Sequence, residues 1–314
     1  MKPITIIKNR SDIGAGTRGS DLGVDAIEIA AINQQNPFFN EHPHIDVPTH
    51  NETIYNKNFL KTEHRIGFVL EQCQRVCDAV STVLRDDKFP LILSGDHSSA
   101  FGSLAGIQHA QPSKTLGVIW IDAHADLHSP MSSPSGNVHG MPLAAALGFN
   151  NEALAVNEVN EKTHQLWDEL KKVGGDQAKV APEHLIFFGV RDTEEPEDKV
   201  MEQNNFKNYP VHEIRHRGLS LCVAEALQKL SAVDSIYISF DVDSLDCDLI
   251  SKGTGTPVSK GFDIDEVVAI IQQIIASQKV IGLEVTEVNP LLDNKGNRMA
   301  EAAFEVIQRL FQKK

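Results

Sequence analysis

Leu116-Gly117-Val118-Ile119-Trp120-Ile121-Asp122-Ala123-His124-Ala125-Asp126 is the stretch on which the reading of this chain turns. Its first six residues are apolar without alternation, which predicts a strand buried on both faces, as in a parallel sheet covered by helices. Asp122, His124 and Asp126 follow at a spacing of two. In an extended chain that spacing puts all three side chains on one face. In open α/β sheets the carboxyl ends of the strands are where ligands bind.

The same grammar recurs along the chain. Apolar runs at 4–7, 91–93, 185–190, 235–240 and 280–285 predict further buried strands. Between them lie helical patterns. Over 62–84, Ile66, Val69, Leu70, Cys73, Cys77, Val80 and Leu84 form one stripe, and Met299, Ala303, Val306, Ile307 and Leu310 form another. Alternation of strand and helix throughout predicts a single α/β domain over 1–314. It would have three layers, α/β/α, around a mostly parallel central sheet. The polar segment 33–61, with Pro37, Pro43 and Pro48, reads as a long surface loop. The segment 150–183 is also polar, with a helical piece at 165–172.

Composition narrows the partners. The 314 residues include 29 Lys plus Arg against 43 Asp plus Glu, a formal net charge of −14. That balance argues against a nucleic-acid backbone or an anionic membrane as the main partner. Cys73, Cys77, Cys222 and Cys247 form no CxxC pair and are too sparse for a disulfide scaffold. No apolar run approaches the ~18–20 residues that span a bilayer, and the first apolar run is too short for a signal peptide. The expectation is a reducing, cytoplasmic setting.

Other strand ends repeat the chemistry. Run 91–93 leads into Ser94-Gly95-Asp96-His97-Ser98, run 235–240 into Asp241-Val242-Asp243, and run 280–285 into Thr286-Glu287. Asp122, Asp126, Asp241 and Asp243 crowded at one edge would repel strongly, and divalent cations remove that penalty. With His97 and His124 they make six ligands, which suits two metal ions about 3.5–4 Å apart sharing carboxylates. Oxygen-rich ligation with two imidazoles and no thiolate favours Mn2+, and Co2+ or Ni2+ would fit the same donors.

These motifs, in this order, resemble those of the ureohydrolase family, and most closely its arginases. The resemblance runs from Gly14-Ala15-Gly16-Thr17-Arg18-Gly19 to Thr286-Glu287-Val288-Asn289-Pro290. It implies an arginase-like fold, with one metal on His97, Asp122, Asp126 and Asp241 and the other on His124, Asp122, Asp241 and Asp243. Ser135-Gly136-Asn137-Val138-His139-Gly140 looks like the arginase substrate loop, in which Ser135 and Asn137 hold an α-carboxylate. Thr256 lies in a Thr-Gly-Thr-Pro loop similar to the one beside the family's site. Several positions depart from the pattern: His128 stands where arginases usually carry Asn, Glu194 where an Asp usually faces the α-amino group, Ser94 where a Gly is usual, Ser244 and Cys247 alter the stretch after the last metal motif, and 150–183 is longer than in typical arginases.

The reaction implied is hydrolysis of a guanidinium group to urea and an amine. Asp126 would aim the attacking water. Glu287 would pair with the planar guanidinium through parallel hydrogen bonds. His139 would deliver or relay the proton to the leaving amine. The family resemblance also implies a homo-oligomer, a trimer or hexamer, acting on a small guanidino substrate. L-Arginine is the first reading. Agmatine, guanidinobutyrate and formiminoglutamate are the alternatives within the family, and a non-catalytic binding protein is the alternative outside it.

Overall fold

The computed structural model describes residues 2–55 and 61–311. Eight strands form one sheet: β1 Ile4–Asn9, β2 His44–Asp46, β3 Phe89–Ser94, β4 Leu116–Ile121, β5 Leu185–Phe188, β6 Lys207–Tyr209, β7 Ser235–Asp241 and β8 Val280–Thr286. Their spatial order is β2-β1-β3-β8-β7-β4-β5-β6, and every registered pair is parallel. The all-parallel sheet bears out the expected α/β architecture. Its central strands β3, β4 and β7 are buried along their whole length, as their unalternating apolar sequences require.

Helices cover both faces. On one face Thr62–Arg85 and Ala100–Ala110 pack with Trp120 and Trp167. On the other lie Gly23–Asn33, Leu219–Lys229, Ile264–Ile275 and Arg298–Phe311. The first pair approach closely because Gly102 and Gly106 present no side chain. A Cβ on either would fall 2.7 Å from a backbone carbonyl oxygen, of Cys73 and Cys77 respectively. Both cysteines are buried there as packing residues.

Three expectations need correction. Segment 33–61 is not simply a surface loop: it holds a helical turn at Phe38–Glu41, strand β2 and a 3-10 turn at Asn51–Tyr55, while 56–60 lie outside the described residues. Strands β2 and β6 escape an apolar-run reading because they are three-residue edge strands with mostly unburied side chains. The helical piece read at 165–172 runs over Glu161–Lys171, started by Asn160, whose side chain accepts from the Thr163 N–H at 2.8 Å.

Strand order matters for the site. The four strands whose ends carry the motifs, β3, β8, β7 and β4, are consecutive at the centre of the sheet. Parallel direction then brings Asp96-His97, Glu287, Asp241-Asp243 and Asp122-Asp126 to one edge.

Candidate metal centre

The carboxylates at this edge share a local design. Asp122, Asp241 and Asp243 each spend one oxygen on a backbone N–H and turn the other toward a histidine. Asp122 Oδ1 accepts from His124 N at 2.7 Å, Asp241 Oδ1 from Asp243 N at 2.8 Å, and Asp243 Oδ1 from Ala123 N at 3.1 Å. The free oxygens of Asp122, Asp126 and Asp241 then converge on His97 Nδ1, at 3.1, 3.0 and 3.0 Å. Asp243 Oδ2 lies 2.9 Å from His124 Nδ1, and Asp122 Oδ1 3.6 Å from it.

Two groups could each hold a metal ion: His97, Asp122 and Asp241, and Asp122, His124 and Asp243. Asp122 belongs to both. Asp126 adjoins the first through His97. The donor atoms themselves fit a cation. His97 Nδ1, Asp122 Oδ2 and Asp126 Oδ2 are buried and, close as they are, none is aligned for a hydrogen bond. Buried polar atoms are seldom left so, and lone pairs aimed at one point are what a bound cation satisfies.

Electrostatics point the same way. Burial and the negative charge of Asp122 push Asp126 up to about 7. Burial and the neighbouring Asp243 hold Asp241 well above the usual carboxylate range. His97 and His124 are lifted well above the ordinary imidazole value: burial opposes their charge, but the surrounding carboxylates outweigh it. The cluster draws in positive charge by any available route.

A cavity of about 340 Å³ opens above these groups. His128, Ser135, Asn137, His139, Glu194, Thr256 and Glu287 all line it. Glu287 Oε1 accepts from the His97 N–H at 2.9 Å and faces His139 Nδ1 at 3.0 Å. Burial would raise this carboxyl, but His139 holds it below its usual value. Thr256 Oγ1 donates to Asp243 Oδ2 at 3.0 Å. Ser135 Oγ accepts from Asn137 N at 3.2 Å, so the two loop residues hold each other.

The sequence reading missed three neighbours. Arg65, on the helix Thr62–Arg85, donates to Asn137 Oδ1. Glu197 lines the cavity, accepts from Glu194 N at 3.2 Å and from Leu127 N at 3.2 Å, and lies 3.5 Å from His128 Nε2. Asp192 Oδ2 stands 3.6 Å from His124 Nε2. Only Glu197 left a trace in the sequence: three acidic residues and a proline opening the helix Glu195–Gln203 are a helix-start signal.

Comparison with known proteins gives a consistent result. The Arginase family model matches residues 2–312. The arginase of Bacillus subtilis is 35% identical over 315 residues, covering 100% of this chain and 99% of that protein. The arginase of Bacillus caldovelox is 34% identical over 321 residues, with coverage of 100% and 99%. The solved Bacillus caldovelox arginase structure superposes with a TM-score of 0.85 at 33% identity, covering 100% of this chain and 99% of that one.

Proposed function

This chain belongs to the arginase family, and from that premise we propose that it hydrolyses the guanidinium group of L-arginine to L-ornithine and urea. The observation that carries the reading is the pair of Asp122-sharing donor groups lying directly beneath a cavity walled by Glu287, His139 and the Ser135–Asn137 loop.

His97, Asp122, Asp126 and Asp241 would hold one divalent ion, and His124, Asp122, Asp241 and Asp243 the other, with Mn2+ the best match to an oxygen-rich donor set. Two such ions supply the charge that makes water a nucleophile at neutral pH. The protein's own groups do the rest. Asp126, on the wall of the cavity, accepts a hydrogen bond from the attacking water and orients it. Glu287 keeps one oxygen on His97 N and His139, leaving Oε2 to receive a guanidinium N–H. Ser135 and Asn137 donate to the α-carboxylate, while Glu194, the neighbouring His128 and Thr256 border the rest of the substrate.

The amine leaves only once protonated. His139 is the group placed to supply that proton: it is partly buried on the cavity wall, and although desolvation opposes its charge, the adjacent Glu287 raises its affinity for a proton. Its pairing with Glu287 refines its role, since the same carboxylate both binds the guanidinium and steadies the proton donor.

We read residues 1–314 as one domain that acts in the cytoplasm as a homo-oligomer, trimeric or hexameric. Among the described residues no helix is long and apolar enough to cross a membrane. The test of the reaction is urea release from L-arginine, agmatine, guanidinobutyrate and formiminoglutamate after incubation with Mn2+, Co2+ or Ni2+. Preference for L-arginine is expected. Preference for agmatine would overturn the assignment of the Ser135–Asn137 loop to a carboxylate.

A further inference from the structure

The acids that line the cavity outside the proposed metal donors are, among the described residues, Asp192, Glu194, Glu197 and Glu287. Glu287 faces the guanidinium. An α-amino group at the other end of the substrate therefore has to find its acceptor among Asp192, Glu194 and Glu197. Asp192 and Glu194 stand toward solvent, with side chains 65% and 54% exposed, whereas Glu197 is buried.

Glu194 and Glu197 already share a donor. His128 Nε2 lies 2.8 Å from Glu194 Oε2 and 3.5 Å from Glu197 Oε2. Ionised carboxylates only accept, so Nε2 carries a hydrogen. A neutral ring suffices, because it is the N–H and not a charge that fills the place. The ring is buried and held from behind. His128 N donates to Gly140 O at 3.0 Å, and Ser132 Oγ, which accepts from Ser129 N at 2.9 Å, stands 3.4 Å from Nδ1. Glu197 is met on both oxygens as well, Oε1 by Leu127 N and Oε2 by Glu194 N.

An enzyme rejects a substrate that lacks a polar group when the absence strands buried partners. A site built to bond a substrate N–H discriminates by about 10⁴–10⁵-fold on that ground. Here the buried acid is satisfied from within, and the other acid has His128 on one side and solvent on the other. An ammonium paired with so exposed a carboxylate gains little. We infer that His128 stands in for the substrate's α-amino group, so that guanidino carboxylic acids without an α-amino group are turned over nearly as well as L-arginine. Chain length still matters, since the carboxylate has to reach Ser135 and Asn137 while the guanidinium rests on Glu287. 5-Guanidinopentanoate keeps that span and differs from L-arginine only in the missing amino group.

This inference rests on L-arginine hydrolysis, and the experiment separates the two. Steady-state urea release from L-arginine and from 5-guanidinopentanoate is measured on the Mn2+-loaded full chain and on its His128→Asn and His128→Ala variants. For the wild type, kcat/KM values within about tenfold of each other are expected, with any difference in KM, because the amino group is remote from the reacting carbon. In either variant Glu194 and Glu197 lose their internal donor. The ratio of kcat/KM for L-arginine to that for 5-guanidinopentanoate should then rise at least about tenfold, whatever happens to each value alone. The two variants remove the same N–H, so either one that folds and binds Mn2+ decides the matter. A wild type that prefers L-arginine by more than about tenfold, or a folded variant whose ratio is unchanged, overturns the inference alone. A wild type that releases urea from neither substrate overturns L-arginine hydrolysis and the inference with it.

Discussion

His128 Nε2 lies 2.8 Å from Glu194 Oε2. These are two of the positions at which the sequence departs from the usual arginase pattern, and they are each other's partners. The ring also lies 3.5 Å from Glu197 Oε2 and 3.4 Å from Ser132 Oγ, as part of the cavity wall. A carboxylate one methylene longer than the usual Asp reaches the imidazole that replaces the usual Asn.

The first prediction follows from that pairing. His128→Asn and Glu194→Asp should each raise KM for L-arginine, while the double variant loses less than the sum. Contacting residues couple by about 0.5–3 kcal/mol, and Glu194's exposure places this pair at the lower end. A double-mutant cycle on KM measures it, and strict additivity would mean that the two residues act independently.

The substrate loop gives the second. Ser135→Ala and Asn137→Ala should raise KM for L-arginine far more than for agmatine, which has no carboxylate. Each removes one hydrogen bond to a charged group, worth roughly 1.5–3 kcal/mol. Because Arg65 holds Asn137 Oδ1, Arg65→Met should reproduce part of the Asn137→Ala phenotype. Equal losses on both substrates would remove the carboxylate from the loop.

Glu287 supports a third. Glu287→Gln keeps the shape but surrenders the charge that faces both the guanidinium and His139. We expect kcat/KM to fall at least about 100-fold, as loss of a charge-assisted pair at a reacting group implies. Mn2+ stoichiometry should be unchanged, because Glu287 is not among the proposed ligands. Steady-state urea release with metal analysis on the same samples checks both.

The fourth concerns the scaffold. Gly102→Ala would gain about 1 kcal/mol of helix propensity. It would also place a methyl 2.7 Å from the Cys73 carbonyl oxygen, and such overpacking costs about 1–3 kcal/mol. The overlap is with backbone, which cannot swing away, so the net effect should be a lower melting temperature. Gly102→Ala/Gly106→Ala should be lower still. A variant as stable as the wild type would show that the two helices slide apart freely.

Much of this architecture was legible before any coordinates. Unalternating apolar runs announce buried strands, and acids and histidines two apart beyond them announce the metal motifs. Both signals are local, so Asp122, His124, Asp241 and Asp243 could be read directly. What escaped was either marginal or long-range. Strands β2 and β6 are too short and too exposed to leave a pattern. The Arg65–Asn137 and Glu284–Ser94 contacts join residues 72 and 190 positions apart. Backbone strain was also hidden. Asp126 and Glu287 sit at φ 52° and 66°, in the left-handed region that favours glycine. Such conformations are tolerated where surrounding structure over-determines them, often at functional sites. Here Glu287 N is pinned to Gly95 O at 2.8 Å and Asp126 O to Leu143 N at 3.2 Å.

The central claim is that paired divalent ions on the Asp122-sharing groups drive guanidinium hydrolysis. It is tested most directly by measuring metal content and urea release from L-arginine on one sample, chelated and then titrated with Mn2+. The account predicts no turnover in the stripped protein and recovery as bound metal approaches two ions per chain. It also predicts no recovery at any Mn2+ concentration in Asp122→Asn. Full activity in a thoroughly metal-free sample, or in Asp122→Asn, would contradict it.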